Sequence, residues 1–414
     1  MTNPSHVIFL EWPLGRNSGG PAGYLWHLKQ GLEAVGLASQ VAFITPKAGD
    51  TQSSKLGEKK KKWGNILATV SGPFWRVLKT YGPTRLARDY KQILSQTPAD
   101  YAAPAEWEAI LADKSYTSFH CHTTLDCLKV DNSLKKLGRR QDVTLYLTSH
   151  CPEMPAFEKR DILAAFGLTR KAAKRVTEQF LAIDLAAFTS ADYLIFPCAE
   201  ALEPYLETYP PIEAVFKSKK ILYLLTGIEK PVCSGKPVSF PGTSAGRTKM
   251  LYIGRHNTVK GYDRLCRVVP RLLDTQEAAM VVAGSQGPLF PPLHPHWHEL
   301  GWISNGQDVM ANADVLLLPN TRTYFDLIAL EALALGIPII ASATGGNKKL
   351  ATLSPGIVLF DSTDTGLESA IERFLSLCAA KRAELGKANA AAYERYCTSQ
   401  EFAASYVDVI KESI

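Results

Sequence analysis

The stretch TRTYFDLIALEALALGIPIIAS, residues 321–342, passes from polar residues into an apolar helical pattern and then a short strand. Gly336 and Pro338 punctuate it, and the run 337–342 that follows is continuously apolar, as in a strand buried on both faces. Two carboxylates, Asp326 and Glu331, interrupt the apolar pattern. On an ideal helix they would lie about 140° apart around the axis, whereas Thr323 and Glu331 would lie about 80° apart. Thr323-x-x-Asp326 also has the spacing of a capping box, with Thr323 as N-cap and Asp326 reaching back, although Glu or Gln is more usual there.

Working outward, the same kind of short apolar run recurs along the chain. HVIFLEW (6–12), SQVAFIT (39–45), VTLYLTSH (143–150), ADYLIFPC (191–198) and KKILYLL (219–225) read as strands of a first half. TKMLYIG (248–254), AAMVVAG (278–284), ADVLLLP (313–319), IPIIAS (337–342) and GIVLF (356–360) repeat the pattern in a second. Such runs, separated by helix-length segments, predict an α/β protein with two doubly wound parallel-sheet domains. The breaker-rich segment 229–247 is the expected linker, between one domain at 1–228 and another at 248–395. Ligands in such sheets bind beyond the carboxyl ends of the strands, so every strand-to-helix turn is a candidate site.

The totals agree with two domains: 414 residues, 46% hydrophobic and 21% charged. No apolar run reaches the roughly 18 residues that a membrane-spanning helix needs. The N-terminus has no basic leader followed by a signal-like apolar core, so a cytoplasmic protein is expected. Eight cysteines without a Cys-x-x-Cys pair read as reduced thiols. HCH at 120–122 finds no second cluster to complete a metal site, so no metal is expected.

The net charge of +6 is unevenly placed. Residues 51–100 hold ten Lys/Arg against three Asp/Glu, a local +7 that leaves −1 for the rest. Between 55 and 91 these cations interleave with Trp63, Phe74, Trp75 and Tyr81, a composition suited to an anionic membrane surface. It is equally the composition of a solvated loop and an ordinary helix face. No nucleic-acid-binding motif accompanies it, and nucleic acid is not an expected partner.

Three kinds of turn could carry chemistry. Gly19 and Gly20 lie in a glycine-rich turn after the first strand, where backbone N–H groups can approach an anion or the turn can simply be tight. His122 and His150 each end a strand, suited to hydrogen-bonding a sugar hydroxyl or moving a proton, or to a local polar need. In YIGRHNTVKGYDRL, 252–265, Arg255 and Lys260 follow a strand with Gly254 and Gly261 beside them. Two cations there can hold a diphosphate and neutralise the charge that grows as it leaves.

GRHNTVKGYDRL, LGWISNGQDVMANADVLLLPN and LEALALGIPIIASATGGN, in that order, resemble the C-terminal half of glycosyltransferase family 4, whose members are retaining enzymes with the B-type glycosyltransferase fold. The resemblance is specific over about 250–347 and looser over 1–225. It implies two domains facing a central cleft and a closing helix within 396–414 that packs back on the N-terminal domain. It further implies that Arg255 and Lys260 bind the donor diphosphate, that Glu331 holds the ribose hydroxyls, and that Gly301, Trp302 and Ile303 line the base pocket. His150 matches the histidine near the donor sugar, and Gly19-Gly20 match the turn facing the phosphates or acceptor. The family pattern has a further Glu eight positions before Glu331; this chain has Thr323 there, and Asp326 where glycine is usual. Asp326 is then either a helix cap or a contact to donor-sugar hydroxyls.

The resulting expectation is a nucleotide-sugar-dependent, metal-independent retaining glycosyltransferase with no resident cofactor. Its acceptor would be a saccharide or lipid-linked saccharide in polysaccharide or glycan assembly, met in the cytoplasm or at the inner membrane face. A nucleotide-sugar isomerase, or a non-catalytic partner subunit with a retained nucleotide pocket, is the alternative.

Overall fold

The computed structural model describes residues 5–16, 20–46, 94–165, 169–235, 238, 246–285, 287 and 289–413. Within them the chain forms two six-stranded parallel sheets. The first contains β1 (His6–Phe9), β2 (Val41–Ile44), β3 (Ser118–Cys121), β4 (Thr144–Leu147), β5 (Tyr193–Phe196) and β6 (Lys220–Tyr223). The second contains β7 (Thr248–Ile253), β8 (Ala278–Ala283), β9 (Trp297–Gly301), β10 (Val315–Leu318), β11 (Ile339–Ser342) and β12 (Ile357–Phe360).

Strand order is what positions the sites. The first sheet runs β2-β1-β3-β4-β5-β6 and the second β12-β11-β10-β7-β8-β9. In the first, the chain reverses direction between β1 and β3, where His6 pairs with Ser118 and Phe9 with Cys121. In the second it reverses between β7 and β10, where Val315 pairs with Met250. A reversal leaves a crevice at the carboxyl ends of the two strands, because their following helices go to opposite faces.

The strands form where the sequence is apolar on both faces. All four residues of β10 and of β11 are buried, as are all six of β8. Met250, Tyr252, Leu265, Val268, Leu272, Val282, Leu317, Ile340 and Phe360 join one core between sheet and helices. Each such side chain, fully buried, contributes about 1.5–3 kcal/mol. β9 is different: in WHELG at the sheet edge only Trp297 is buried and the rest are half-buried or exposed, and no apolar run announces it.

The residues divide into two compact units, 1–26, 38–195 and 211–222 in one, and 27–37, 196–210 and 223–414 in the other. The second therefore includes three stretches from the first 228 residues, 27–37, 196–210 and 223–228. In it, the Ser399–Ser413 helix starts against Gly31 and Gly227, where any Cβ would collide with the Ser399 and Thr398 carbonyl oxygens.

Candidate active site

In the second unit the loop after β7 brings Arg255 and Lys260 to the reversal between β7 and β10. Gly261 closes that loop with φ +68°, and a Cβ there would strike the Pro319 carbonyl at the end of β10. A side chain at 261 would thus meet both left-handed strain and a backbone clash. Asn257 Oδ1 accepts a hydrogen bond from the Lys260 N–H at 2.9 Å, and Thr321 N donates to the Val259 carbonyl at 3.0 Å. These contacts fix Lys260 against the segment that follows β10.

That segment corrects the sequence-based reading of Asp326. The helix is Leu327–Ala334, with Asp326 at its N-cap and no side-chain capping bond, so Thr323 and Asp326 form no capping box. Residues 323–326 are irregular, and the ideal-helix angles between Thr323, Asp326 and Glu331 do not apply. The Asp326 carboxylate instead accepts from Lys260 Nζ through both oxygens, at 2.7 and 2.8 Å, and from Asn320 Nδ2 at 2.8 Å. Burial alone would raise its pKa. The charge and hydrogen bonds of Lys260, the Asn320 amide and the charge of Arg255 prevail and hold it below the ordinary carboxylate range.

Thr323 is buried, 1% exposed, and its hydroxyl oxygen has no hydrogen-bond partner among the described residues. Its carbonyl lies over Gly345, which has φ +45°, and the Tyr324 carbonyl lies over Gly346 at the start of the Gly346–Leu353 helix. Glu331 is half-buried in the middle of the Leu327–Ala334 helix. Gly301 ends β9 and accepts a backbone hydrogen bond from Gly284 at 2.8 Å, while Gly254 N donates to Ala283 O at 3.0 Å. Gly254 and Gly301 thus join one backbone row across the carboxyl ends of β7, β8 and β9. Trp302 is 76% exposed, and Ile303 is half-buried.

In the first unit, His122 and His150 come together. His122 Nδ1 and His150 Nε2 share a hydrogen bond at 2.8 Å, and the rings stack with centroids 5.1 Å apart. Tyr24 packs edge-on against His150 at 4.6 Å. His120 lies 4.0 Å from His122 by ring centroids and bonds the Thr148 hydroxyl at 2.9 Å. His6 bonds the Ser118 hydroxyl at 2.7 Å. Burial lowers His150 and His6 to about 3, and lowers His120 and His122 well below the usual histidine value. The cluster is therefore neutral near pH 7 and orients protons by tautomer instead of carrying charge. His150 alone among the described non-glycine residues has positive φ, +58°, a sparsely populated conformation that collects at functional sites.

HCH at 120–122 is accounted for by these bonds, and no group of three or more His, Cys, Asp or Glu among the described residues could hold a metal ion. Gly20, with φ +45°, opens the Gly20–Ala34 helix. Gly19 and the basic-aromatic segment 55–91 lie outside the described residues. No helix among the described residues is long and apolar enough to cross a membrane. Sequence reasoning missed Asn320, Asn347, Tyr24 and the Gly345-Gly346 start of the helix after β11. The glycine pair was a usable signal. Asn320 and Asn347 had none, because their role depends on which strand ends are neighbours.

Comparison with known proteins bears on the family and the fold. Residues 247–376 match the family described as Glycosyl transferases group 1. An uncharacterized glycosyltransferase of Methanocaldococcus jannaschii is 26% identical over 185 residues, covering 42% of this chain and 45% of that protein. A GDP-mannose-dependent alpha-(1-6)-phosphatidylinositol dimannoside mannosyltransferase of Mycobacterium tuberculosis is 28% identical, covering 61% and 66%. A D-inositol 3-phosphate glycosyltransferase of Corynebacterium jeikeium is 26% identical, covering 82% and 79%. The match thus spans about half of the first of these relatives and two thirds of the second. Among solved structures, sucrose-phosphate synthase of Thermosynechococcus elongatus superposes with a TM-score of 0.64 at 18% identity, covering 99% of each chain. Anabaena HepE in complex with UDP and glucose gives 0.57 at 13% identity, covering 99% of this chain and 100% of that one. At such identities the structural likeness is one of fold. Residues 247–376 are thus similar to the glycosyl transferases group 1 family, and the chain carries the two parallel sheets of the B-type glycosyltransferase fold.

Proposed function

We propose that this protein is a retaining glycosyltransferase that moves a sugar from a nucleotide-diphosphate-sugar to a saccharide or lipid-linked saccharide, without a metal. The observation that carries the reading is the pair Arg255 and Lys260 at the reversal point of the group 1 sheet, with Glu331 on the helix that follows β10.

In this reading the bond between the sugar's anomeric carbon and the diphosphate breaks as the acceptor oxygen bonds to the same face of that carbon. The acceptor's proton passes to the departing phosphate oxygen, so no protein nucleophile is needed. Arg255 and Lys260 neutralise the charge that grows on the leaving group, and Glu331 holds the ribose. Catalysis is then orientation plus charge stabilisation. The cited M. tuberculosis relative is named for a phosphatidylinositol-linked acceptor, which supports a lipid-linked acceptor here. Docking through residues 55–91 to the inner membrane face belongs to the same proposal, and sedimentation with anionic vesicles tests it.

The first experiment is thermal unfolding with UDP, GDP, ADP and TDP. A ligand at 100 times its dissociation constant adds about 2.7 kcal/mol, a visible shift. One selective nucleotide, followed by transfer that resists EDTA and keeps the anomeric configuration by NMR, is the expected outcome. Inversion at that carbon, or dependence on a divalent ion, would overturn the corresponding part. A chain that binds none of the four would favour a non-catalytic partner subunit, the reading that Thr323 in place of a carboxylate supports.

A further inference from the structure

Asp326 is held from two sides. Lys260 Nζ donates to both its oxygens, which uses two of the three ammonium N–H donors. Asn320 fixes the carboxylate from the other side and is itself fixed: its carbonyl accepts from the Ser342 hydroxyl at 2.6 Å, and the Ser342 carbonyl accepts from Asn347 Nδ2 at 3.1 Å. Asn320, Ser342 and Asn347 are buried, whereas the side chains of Lys260 and Asp326 are 27% and 17% exposed. A buried polar relay thus ends on an ion pair that a ligand can reach.

We propose that Asp326 is a positioning residue for Lys260: it aims the third ammonium N–H outward and offsets one of the two positive charges that a diphosphate meets. This rests on the reading of Arg255 and Lys260 as a diphosphate site. With Asp326 in place the ammonium is held in one geometry for the leaving group, and the free nucleoside diphosphate is gripped less tightly after transfer. Without it the cation is stronger for any anion but no longer aimed, so binding and turnover move in opposite directions.

The test is titration calorimetry of wild type, Asp326→Asn, Lys260→Met and the double variant with UDP, GDP, ADP and TDP, together with kcat and KM for the sugar nucleotide. Asp326→Asn is expected to bind the nucleoside diphosphate about 3–10-fold more tightly, since a carboxylate within hydrogen-bond reach of the cation is removed. Its kcat is expected to fall about tenfold while KM falls or holds. Asp326→Glu, which keeps the charge, should bind the diphosphate within about twofold of wild type. In the Lys260→Met background Asp326→Asn should lower kcat no further, since no ammonium is left to aim. If Asp326→Asn fails to fold, Asp326→Ser removes the same charge in a smaller side chain and is read the same way.

Weaker binding of the sugar nucleotide with unchanged diphosphate binding, persisting in the Lys260→Met background, would mean that Asp326 touches the sugar directly and would overturn the proposal. Wild type that binds a nucleoside diphosphate, with Asp326→Asn binding no more tightly, overturns this inference alone. Wild type that binds none of the four overturns the donor-site reading, and the inference with it.

Discussion

The polar clusters beside β3 and β4 in one sheet and at the reversal between β7 and β10 in the other solve opposite problems. Beside β3 and β4, His120, His122 and His150 are packed against aromatic rings, kept neutral by burial, and linked ring to ring. Beyond β7 and β10, Lys260 and Asp326 form an ion pair in which the charge and hydrogen bonds of Lys260 keep Asp326 ionised, and both side chains keep some contact with water. Burying a charge without a partner costs several kcal/mol, whereas a neutral imidazole needs only its hydrogen bond. The first arrangement suits orientation of protons and hydroxyls. The second suits an anion that arrives, gains charge and leaves.

The contrast can be broken experimentally, beginning with the largest expected effect. Lys260→Ala should lower the transfer rate about 100-fold, the scale for losing one stabilising donor at a developing charge. Full activity in that variant would remove Lys260 from the mechanism. In the histidine cluster, His122→Phe removes the hydrogen bond shared by His122 Nδ1 and His150 Nε2. Stability should drop by about 1–3 kcal/mol in urea unfolding, with transfer slowed about tenfold. An unchanged rate would mean that His150 needs no orientation by His122.

A smaller effect concerns pH. His150 is lowered to about 3, so no ionisation of this group should shape kcat/KM between pH 6 and 8. A rate limb near pH 6.5 that disappears in the His122→Phe variant would show instead that the cluster titrates in the working range. For stability the sign follows from proton counting. Below about pH 6.5 the unfolded chain protonates histidines that the folded chain keeps neutral, so their contribution is lost as pH falls from about 6.5 toward about 3. Asp126 acts the other way: burial, with the charge of Glu11, raises it to about 7. The folded form thus holds a proton that the unfolded chain releases, and that contribution is lost as pH rises through about 7. Urea unfolding of wild type and Asp126→Asn at pH 5 and 8 should show the variant losing the second component only.

Much of the second sheet was legible. The apolar runs that mark β7, β8, β10, β11 and β12 contain the observed strands, because a strand covered on both faces must be apolar throughout. β9 was not, since an edge strand with a charged residue at Glu299 carries no such run. Arg255 and Lys260 stood out as cations after a strand. Asp326 was assigned to a helix that begins one residue later, and the error came from extending regular geometry into an irregular turn.

By itself the amino-acid sequence determined the alternation of strand and helix, the two halves, and the cations and carboxylate that mark a candidate donor site. Those are local properties: hydrophobic period, breakers, and residues at strand ends. Tertiary structure decided that Lys260 meets Asp326 across 66 positions of sequence, and that His122 meets His150 across 28. Both depend on strand order, since parallel neighbours align their carboxyl ends, and the order of strands in a sheet is written in no single segment of the chain.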